Sequence, residues 1–269
     1  MKTVRFSPNP ESGARVVGYL HDPMANEPEF TRRPCAVILP GGAYEFLSER
    51  ESEPPAAAFF AHGYQVFILS YSVGDRAADL RPLIDASLTL IRIRESSAEW
   101  NVLPGKIAVC GFSAGGHVAA GLGTLWDSPE LRARIDTKGG RNRPDAMVLC
   151  YAVLTAGRFA HRESIEKVSG GSPTPEQVRF FSLENHISPR TPPAFLWHTV
   201  EDDCVPVENA LLFAAALQSR HIPFECHIYQ KGGHGMSLCT REVGTPSPHC
   251  ATWFPLCAGW LDGLFGFRA

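Results

Sequence analysis

The chain has 269 residues, of which 44% are hydrophobic and 20% charged, and its formal net charge is −3 at pH 7. This length and apolar content suffice for a large buried core, and we expect a single domain spanning residues 1–269. The small net charge, without a block of like charges, argues against nucleic acid and anionic membranes as partners and leaves a small-molecule substrate. Composition does not indicate an oligomeric state.

The first residues, MKTVRFSPNPESG, lack the long apolar core of a signal peptide. No later segment has about 18 uninterrupted apolar residues, the length that a membrane-spanning helix needs. The eight cysteines are spread along the chain, without the dense spacing of a small disulfide-rich domain. We therefore expect a cytoplasmic protein with free thiols.

Short apolar runs alternate with longer amphipathic ones along the chain. Seven runs rich in β-branched and aromatic residues predict strands, in the order ARVVGYLHD, CAVILP, YQVFILSYS, KIAVCGF, DAMVLCYAV, AFLWHT and FECHIYQ. Between them, helices are predicted for EPPAAAFFAHG, AADLRPLIDASLTLIRIRESSAEW and VENALLFAAALQSR. This alternation predicts an α/β fold with a mostly parallel sheet covered by helices on both faces. The polar segment 155–191 interrupts the alternation and predicts a short cap insertion over one end of the sheet.

The motif GFSAGGH, residues 111–117, lies where the predicted strand KIAVC meets the helix-like run HVAAGLGTLW. In a G-x-S-x-G turn the serine occupies a sharp, strained bend, and its glycine neighbours let the backbone pass closely enough to expose the hydroxyl. The five-residue pattern alone also occurs as a plain glycine-rich helix start. The strand-turn-helix context favours catalysis, so we predict that Ser113 is a nucleophile.

A serine hydroxyl is a weak nucleophile and needs a base, an orienting carboxylate and donors for the oxyanion. In this arrangement the partners follow the nucleophile in the order Asp, then His. The candidate base is His234, which lies in YQKGGHGMS after the last predicted strand. The loop HTVEDDCVPVENA offers two candidate acids, Asp202 and Asp203, and the loop residues alone leave both open.

The loop LPGGAY follows the early predicted strand CAVI. Its small residues predict oxyanion-hole amides at Gly42 and Ala43, joined by the amide of Ala114 directly after the nucleophile. Taken alone, PGGAY would be a simple glycine turn, and its position relative to the serine favours the oxyanion hole. Tyr44, the next residue, is a candidate substrate contact.

Two further histidines, His117 and His198, lie near these motifs but outside the base position, and we expect structural roles for them. The histidines and cysteines from 234 to 250 lack paired C-x-x-C or H-E-x-x-H spacing, so no metal is predicted.

Five ordered segments together resemble the α/β-hydrolase superfamily and, within it, esterases similar to bacterial acetyl-xylan esterases and sugar-ester hydrolases. The segments are PGGAY, SEPPAAAFFAHGYQVFILSYSVG, ESSAEWNVLPGKIAVCGFSAGGHVAA, TPPAFLWHTVEDDCVPVENAL and GGHG. The resemblance implies an eight-stranded sheet, a serine-esterase mechanism and no cofactor. The D-x-x-V-P pattern of these esterases matches Asp202, not Asp203. Where many relatives that act on small esters carry a histidine before the glycine pair, this chain has Pro40.

The residues and the resemblance predict a serine carboxylesterase that removes short acyl groups, acetyl foremost, from carbohydrates or similar hydroxylated carriers. The preference for short acyl groups follows from segment 161–190, which is mainly polar and offers little surface to a fatty chain. An amide hydrolase, similar to arylformamidases or small peptidases, would use the same triad with a different pocket. A non-catalytic ligand-binding module on this scaffold would have no chemical need for Ser113, Asp202 and His234 together.

Overall fold

The computed structural model describes residues 1–24 and 26–268. The strands are β1 Lys2–Phe6, β2 Arg15–Leu20, β3 Arg33–Leu39, β4 Gln65–Ser70, β5 Val102–Phe112, β6 Ala146–Cys150, β7 Ala194–Thr199 and β8 Phe224–Tyr229. The α-helices are α1 Glu53–Ala61, α2 Arg81–Glu95, α3 Ala114–Thr124, α4 Pro129–Arg132, α5 Arg162–Ser169, α6 Pro175–Phe181, α7 Glu208–Ser219 and α8 Trp253–Phe265. Short 3₁₀ turns lie at Pro28–Phe30, Glu49–Glu51, Gly74–Arg76, Leu183–His186, Arg241–Val243 and Cys250–Thr252.

The eight strands form one sheet in the order β1-β2-β4-β3-β5-β6-β7-β8. Strand β2 pairs antiparallel with β1 and β4, and the pairings from β4 through β8 are parallel. Parallel neighbours need long crossover connections, which the helices supply. The predicted mostly parallel sheet is therefore confirmed, and its carboxyl-terminal edge collects the loops after β3, β5, β7 and β8.

The two faces of the sheet bury separate cores, because successive residues of a strand point to opposite sides. On β3, Val37 and Leu39 join the core beneath α2, α3 and α7, whereas Ala36 and Ile38 join the core beneath α1 and α8. Burial on both faces explains why the central strands read as continuous apolar runs in the sequence.

Edge strand β1 and helix α8 are among the elements that the sequence patterns did not predict. Most side chains of edge strand β1 are exposed, so KTVRF lacks the buried run that marks the other strands. Helix α8 contains a proline and two glycines, yet Trp253, Cys257 and Leu261 form a buried stripe at four-residue spacing. Packing of this stripe, rather than helix propensity, stabilises α8.

The segment 155–191 connects β6 to β7 and contains α5 and α6. Helix α6 begins with a capping box, in which the side chains of Thr174 and Gln177 each accept a hydrogen bond from the other residue's amide. Ile165 of α5 and Phe181 of α6 are buried in the core beneath α2, α3 and α7. Within residues 1–24 and 26–268, no helix is long and apolar enough to cross a membrane.

Candidate active site

The serine of the G-x-S-x-G motif lies at the turn between β5 and α3. Ser113 has φ 52° and ψ −120°, a backbone conformation that residues with a side chain rarely adopt. A Cβ atom at Gly111 would lie 2.3 Å from the carbonyl oxygen of Gly115, and one at Gly115 would lie 2.1 Å from that of Leu39. Side chains are therefore excluded at both glycines, which accounts for the spacing of the motif.

The structure brings Ser113, His234 and Asp202 together in one hydrogen-bonded series. His234 Nδ1 lies 2.7 Å from Asp202 Oδ2, and His234 Nε2 lies 2.8 Å from Ser113 Oγ. Because a carboxylate only accepts hydrogen bonds, we assign the imidazole proton to Nδ1, which leaves Nε2 to accept from the Ser113 hydroxyl. The neighbouring Asp203 is exposed and lies outside this series.

Both carboxylate oxygens of Asp202 have hydrogen-bond partners. Oδ1 accepts from the amides of Cys204 and Val205 at 3.0 and 2.9 Å, and Oδ2 lies 3.2 Å from Nε2 of His198 as well as contacting His234. Burial alone would raise the pKa of Asp202, but the hydrogen bonds from His198 and His234 outweigh burial, so the pKa lies below its usual range. Asp202 is therefore ionised at neutral pH.

The contact between His198 and Asp202 was not predicted from the sequence. The His198 side chain is fully buried at the end of β7, and its Nε2 also lies 2.9 Å from the carbonyl oxygen of Val205. One sequence signal could have indicated this contact: His198 lies four residues before Asp202, at the end of the strand that leads into the acid loop. The structural role expected for His198 is therefore a direct contact with the candidate catalytic acid, Asp202.

The loop after β3 presents the candidate oxyanion donors. Gly42 has φ 126° and Ala43 has φ 54°, and a Cβ atom at Gly42 would lie 2.2 Å from the carbonyl oxygen of Phe46. In the described part of the chain, the amides of Gly42, Ala43 and Ala114 have no hydrogen-bond acceptor. Gly42 and Ala43 line the same cleft as Ser113. These amides are therefore available to donate to an oxyanion.

The side chain of Tyr44 lies in the core with 1% exposure, so the geometry does not support the predicted substrate contact. Its hydroxyl lies 2.7 Å from His117 Nδ1, and His117 Nε2 lies 3.0 Å from the carbonyl oxygen of Phe181. Burial lowers the pKa of His117 to about 4, so the ring is neutral, donates from Nε2 and accepts from Tyr44. The φ of 62° at Tyr44 directs the side chain inward. Through His117 and Phe181, this side chain connects the loop that carries Gly42 and Ala43, here called the oxyanion loop, to α3 and α6.

Ser113 and His234 line a cleft of about 650 Å³, a volume typical of small-molecule sites. Phe46, two residues after Tyr44, lines this cleft with 59% of its surface exposed. The sequence pattern did not distinguish these two aromatic residues, since both follow the oxyanion loop. The remaining walls include polar and charged side chains of Glu49, Arg50, His161 and Glu163.

A second cleft, of about 580 Å³, adjoins the first, and Ala43 and Glu163 line both. Its walls carry the side chains of Glu45, Asp75, Glu166 and Lys167, and the Lys167 ammonium pairs with the Glu45 carboxylate. Carboxylates accept hydrogen bonds from hydroxyl groups and repel anions. This cleft is therefore suited to an uncharged, hydroxylated group more than to an anionic one.

All eight cysteines are free. Cys204 is exposed and lines the catalytic cleft, but burial of its sulfur and the charges of Asp202 and Asp203 raise its pKa to about 11. Its thiol is therefore protonated at neutral pH and a poor nucleophile. Across residues 1–24 and 26–268, no group of three or more His, Cys, Asp and Glu side chains could hold a metal ion.

A serine at a strand-to-helix turn, followed in the chain by an aspartate and a histidine that reach it from later loops, defines the α/β-hydrolase class. The chain belongs to the BD-FAE family, whose model matches residues 22–217. Endo-1,4-beta-xylanase B of Butyrivibrio fibrisolvens is 36% identical over 235 residues, covering 84% of this chain and 35% of that protein. Acetylxylan esterase of Xylanibacter ruminicola is 28% identical over 221 residues, covering 79% of this chain and 43% of that protein.

A solved structure extends the similarity over nearly the whole chain. The acetyl ester-xyloside bifunctional hydrolase from Caldicellulosiruptor lactoaceticus superposes with a TM-score of 0.84 at 37% identity, covering 97% of this chain and 92% of that one. The chain spans about a third to under half of the length of the two curated relatives. These comparisons confirm the predicted α/β-hydrolase fold and the predicted place among the esterases of that superfamily.

Proposed function

We propose that this chain is a serine esterase that removes short acyl groups, acetyl foremost, from carbohydrates or similar hydroxylated carriers. The observation that carries the proposal is the hydrogen-bonded series from Asp202 through His234 to Ser113, beside free backbone amides in an open cleft. The relatives named as an acetylxylan esterase and as an acetyl ester-xyloside hydrolase support both the acetyl group and the sugar.

In the first half of the reaction, Ser113 Oγ attacks the ester carbonyl carbon while its proton moves to His234 Nε2. The carbonyl oxygen becomes an oxyanion, which accepts hydrogen bonds from the amides of Gly42, Ala43 and Ala114. Asp202 holds the imidazole in the required tautomer and stabilises its charged form. The tetrahedral intermediate then expels the alcohol, whose oxygen takes the proton from His234, and an acyl group remains on Ser113.

In the second half, water attacks the acyl carbonyl carbon and gives its proton to His234 Nε2. The same amides hold the second oxyanion. Collapse of this intermediate breaks the bond to Ser113 Oγ, which recovers its proton from His234, and releases the carboxylic acid. The site returns to its starting state without a cofactor.

The walls of the catalytic cleft support a short acyl group. A long acyl chain needs an extended apolar surface, because each buried CH₂ contributes about 0.8 kcal/mol. Phe46 and Leu47 are the two large apolar residues among those lining the cleft, and polar residues such as His161 and Glu163 contribute much of the rest. Segment 155–191, which supplies those two polar residues, acts in this proposal as a polar cap.

The same walls support a hydroxylated alcohol portion. The exposed ring of Phe46 offers an apolar platform of the kind on which a sugar ring packs, while the adjoining cleft offers carboxylate acceptors for hydroxyl groups. In this proposal Phe46 takes the substrate-contact role that the sequence pattern assigned to Tyr44.

Replacement of Ser113 tests the proposal. Ser113→Ala should fold normally and lose several powers of ten in hydrolysis of p-nitrophenyl acetate. The wild type should release acetate from per-acetylated xylose and xylo-oligosaccharides, and a serine-directed organophosphonate should label Ser113 alone. Full activity in the alanine variant, or labelling of another serine, would refute the assignment of the nucleophile. Activity on p-nitrophenyl acetate without acetate release from the sugars would refute the substrate class alone.

A further inference from the structure

A buried carboxylate lies beneath the oxyanion loop and is not used by the mechanism above. Glu51, at the end of the 3₁₀ turn Glu49–Glu51, is 2% exposed. Its Oε2 accepts from the amide of Gly41 at 2.9 Å, and its Oε1 accepts from the hydroxyl of Tyr151 at 2.6 Å. A Cβ atom at Gly41 would lie 2.7 Å from Glu51 Oε2 and 2.9 Å from Ser113 Cβ. The carboxylate therefore contacts the backbone immediately before the candidate oxyanion donors.

Tyr151 continues the connection towards the catalytic histidine. It follows β6 directly, and its hydroxyl accepts from the amide of Ser237, three residues after His234, at 2.8 Å. Its ring packs edge to face against His234, with ring centroids 5.0 Å apart. The Ser237 hydroxyl in turn donates to the carbonyl oxygen of Arg50 at 2.5 Å, next to Glu51. Glu51 and Tyr151 thus connect the oxyanion loop to the loop that carries His234.

We propose that Glu51 is a positioning residue that, with Tyr151, holds the oxyanion loop and the His234 loop in their catalytic arrangement. This inference rests on the proposed esterase function. A charge is costly to bury unless it is hydrogen-bonded, and Glu51 is paired on both oxygens. Oxyanion stabilisation depends on donors that are already in place before the charge develops, which is what such an anchored loop supplies.

The hydrogen-bond directions explain why a carboxylate is required at Glu51. The Gly41 amide can only donate, and the Tyr151 hydroxyl, which already accepts from Ser237, directs its own proton to Glu51. Both bonds need an acceptor, and a glutamine of the same shape offers one acceptor oxygen and one donor group. Glu51→Gln therefore breaks one of the two bonds while it preserves the volume of the side chain.

The test combines Glu51→Gln, Tyr151→Phe and the double variant. A misplaced oxyanion donor should cost less than a deleted one, which lowers kcat about 10²–10³-fold. We therefore expect kcat for p-nitrophenyl acetate to fall about tenfold or more in each single variant, with KM changed less than about twofold. Because Glu51 and Tyr151 act through one connection between the two loops, the double variant should lose less than the product of the two single losses. Binding of a trifluoromethyl ketone, which forms an oxyanion on Ser113, should weaken in parallel with kcat.

Two matched controls separate positioning from general destabilisation. Tyr64→Phe removes the hydroxyl of another buried tyrosine, which has no hydrogen-bond partner in the described chain. Glu184→Gln changes a half-buried glutamate that accepts from the Thr155 hydroxyl. Both should keep the wild-type kcat, and the melting temperature of every variant is measured alongside.

Three results would overturn the inference: wild-type kcat in both Glu51→Gln and Tyr151→Phe, losses that multiply in the double variant, or equal losses in the controls. If Glu51→Gln does not fold, Tyr151→Phe alone decides, because a wild-type kcat and inhibitor affinity in that variant would refute the connection to His234. An inactive wild type, or an active Ser113→Ala variant, would refute the proposed function instead.

Discussion

Replacement of Asp202 by asparagine isolates the role of the carboxylate in orienting His234. Asp202 Oδ1 accepts from two backbone amides, so the oxygen of an asparagine would remain there and its NH₂ group would face His234 Nδ1. The imidazole would then move its proton to Nε2 and could no longer accept from Ser113. Loss of the orienting carboxylate in such a triad lowers kcat about 10⁴-fold, which corresponds to about 5 kcal/mol in the activation free energy.

The adjacent aspartate supplies a control of the same chemistry. Asp203 is exposed and lies outside the hydrogen-bonded series, so Asp203→Asn should change kcat by less than about threefold, within the range of surface substitutions. Steady-state hydrolysis of p-nitrophenyl acetate by both variants, with circular dichroism to verify folding, measures the difference. Equal losses in the two variants, or a larger loss from Asp203→Asn, would refute the assignment of Asp202.

Four further measurements test the packing, the cleft, the loop and the acid. An alanine at Gly115 would place its Cβ 2.1 Å from the Leu39 carbonyl oxygen, so Gly115→Ala should lower the free energy of unfolding by about 1–3 kcal/mol or more; wild-type stability would contradict this. Among p-nitrophenyl esters, kcat/KM should be highest for acetate or propionate, and a maximum at octanoate would contradict the short-acyl proposal. Tyr44→Phe should leave KM unchanged and lower the free energy of unfolding by about 1–3 kcal/mol, because buried His117 Nδ1 loses its donor; a raised KM at full stability would argue for a substrate contact. Because the native pKa of Asp202 is lowered, its carboxylate stabilises the fold above the unfolded pKa of about 3.9 and loses this effect as the pH falls towards the native pKa. In denaturant titrations, the stability difference between the wild type and Asp202→Asn should therefore narrow below about pH 4.

The candidate nucleophile, base and acid could be predicted because their constraints are local. Glycine is needed at positions 111 and 115 because a Cβ atom there would overlap the neighbouring backbone. This requirement is visible in the sequence as the spacing of the G-x-S-x-G motif. The choice between Asp202 and Asp203 could not be made from local constraints, because the two adjacent residues carry the same carboxylate group. It depended on the D-x-x-V-P pattern, and in the structure the amide of Val205 indeed donates to Asp202.

The supporting residues could not be predicted because their partners are distant in the chain. Glu51 and Tyr151 are 100 residues apart, and their bond depends on the fold placing the end of β6 close to the 3₁₀ turn Glu49–Glu51. The different positions of Tyr44 and Phe46 could not be predicted either, because both are aromatic and lie two residues apart. The left-handed backbone at Tyr44 directs its side chain into the core, whereas the side chain of Phe46 is exposed. Side-chain direction in an irregular loop is set by backbone angles that composition does not encode.

The sheet is open, with β1 and β8 at its two edges. Edge strands expose backbone donors and acceptors and can recruit a strand from another molecule, which leads to aggregation. On β8, His227 Nε2 lies 2.7 Å from Glu225 Oε1, and both side chains are partly exposed. A strand that approached this edge would have to remove water from the pair, as it would from Lys2 and Arg5 on β1. The polar and charged side chains at both edges therefore oppose the addition of a further strand, although most of each central strand is apolar.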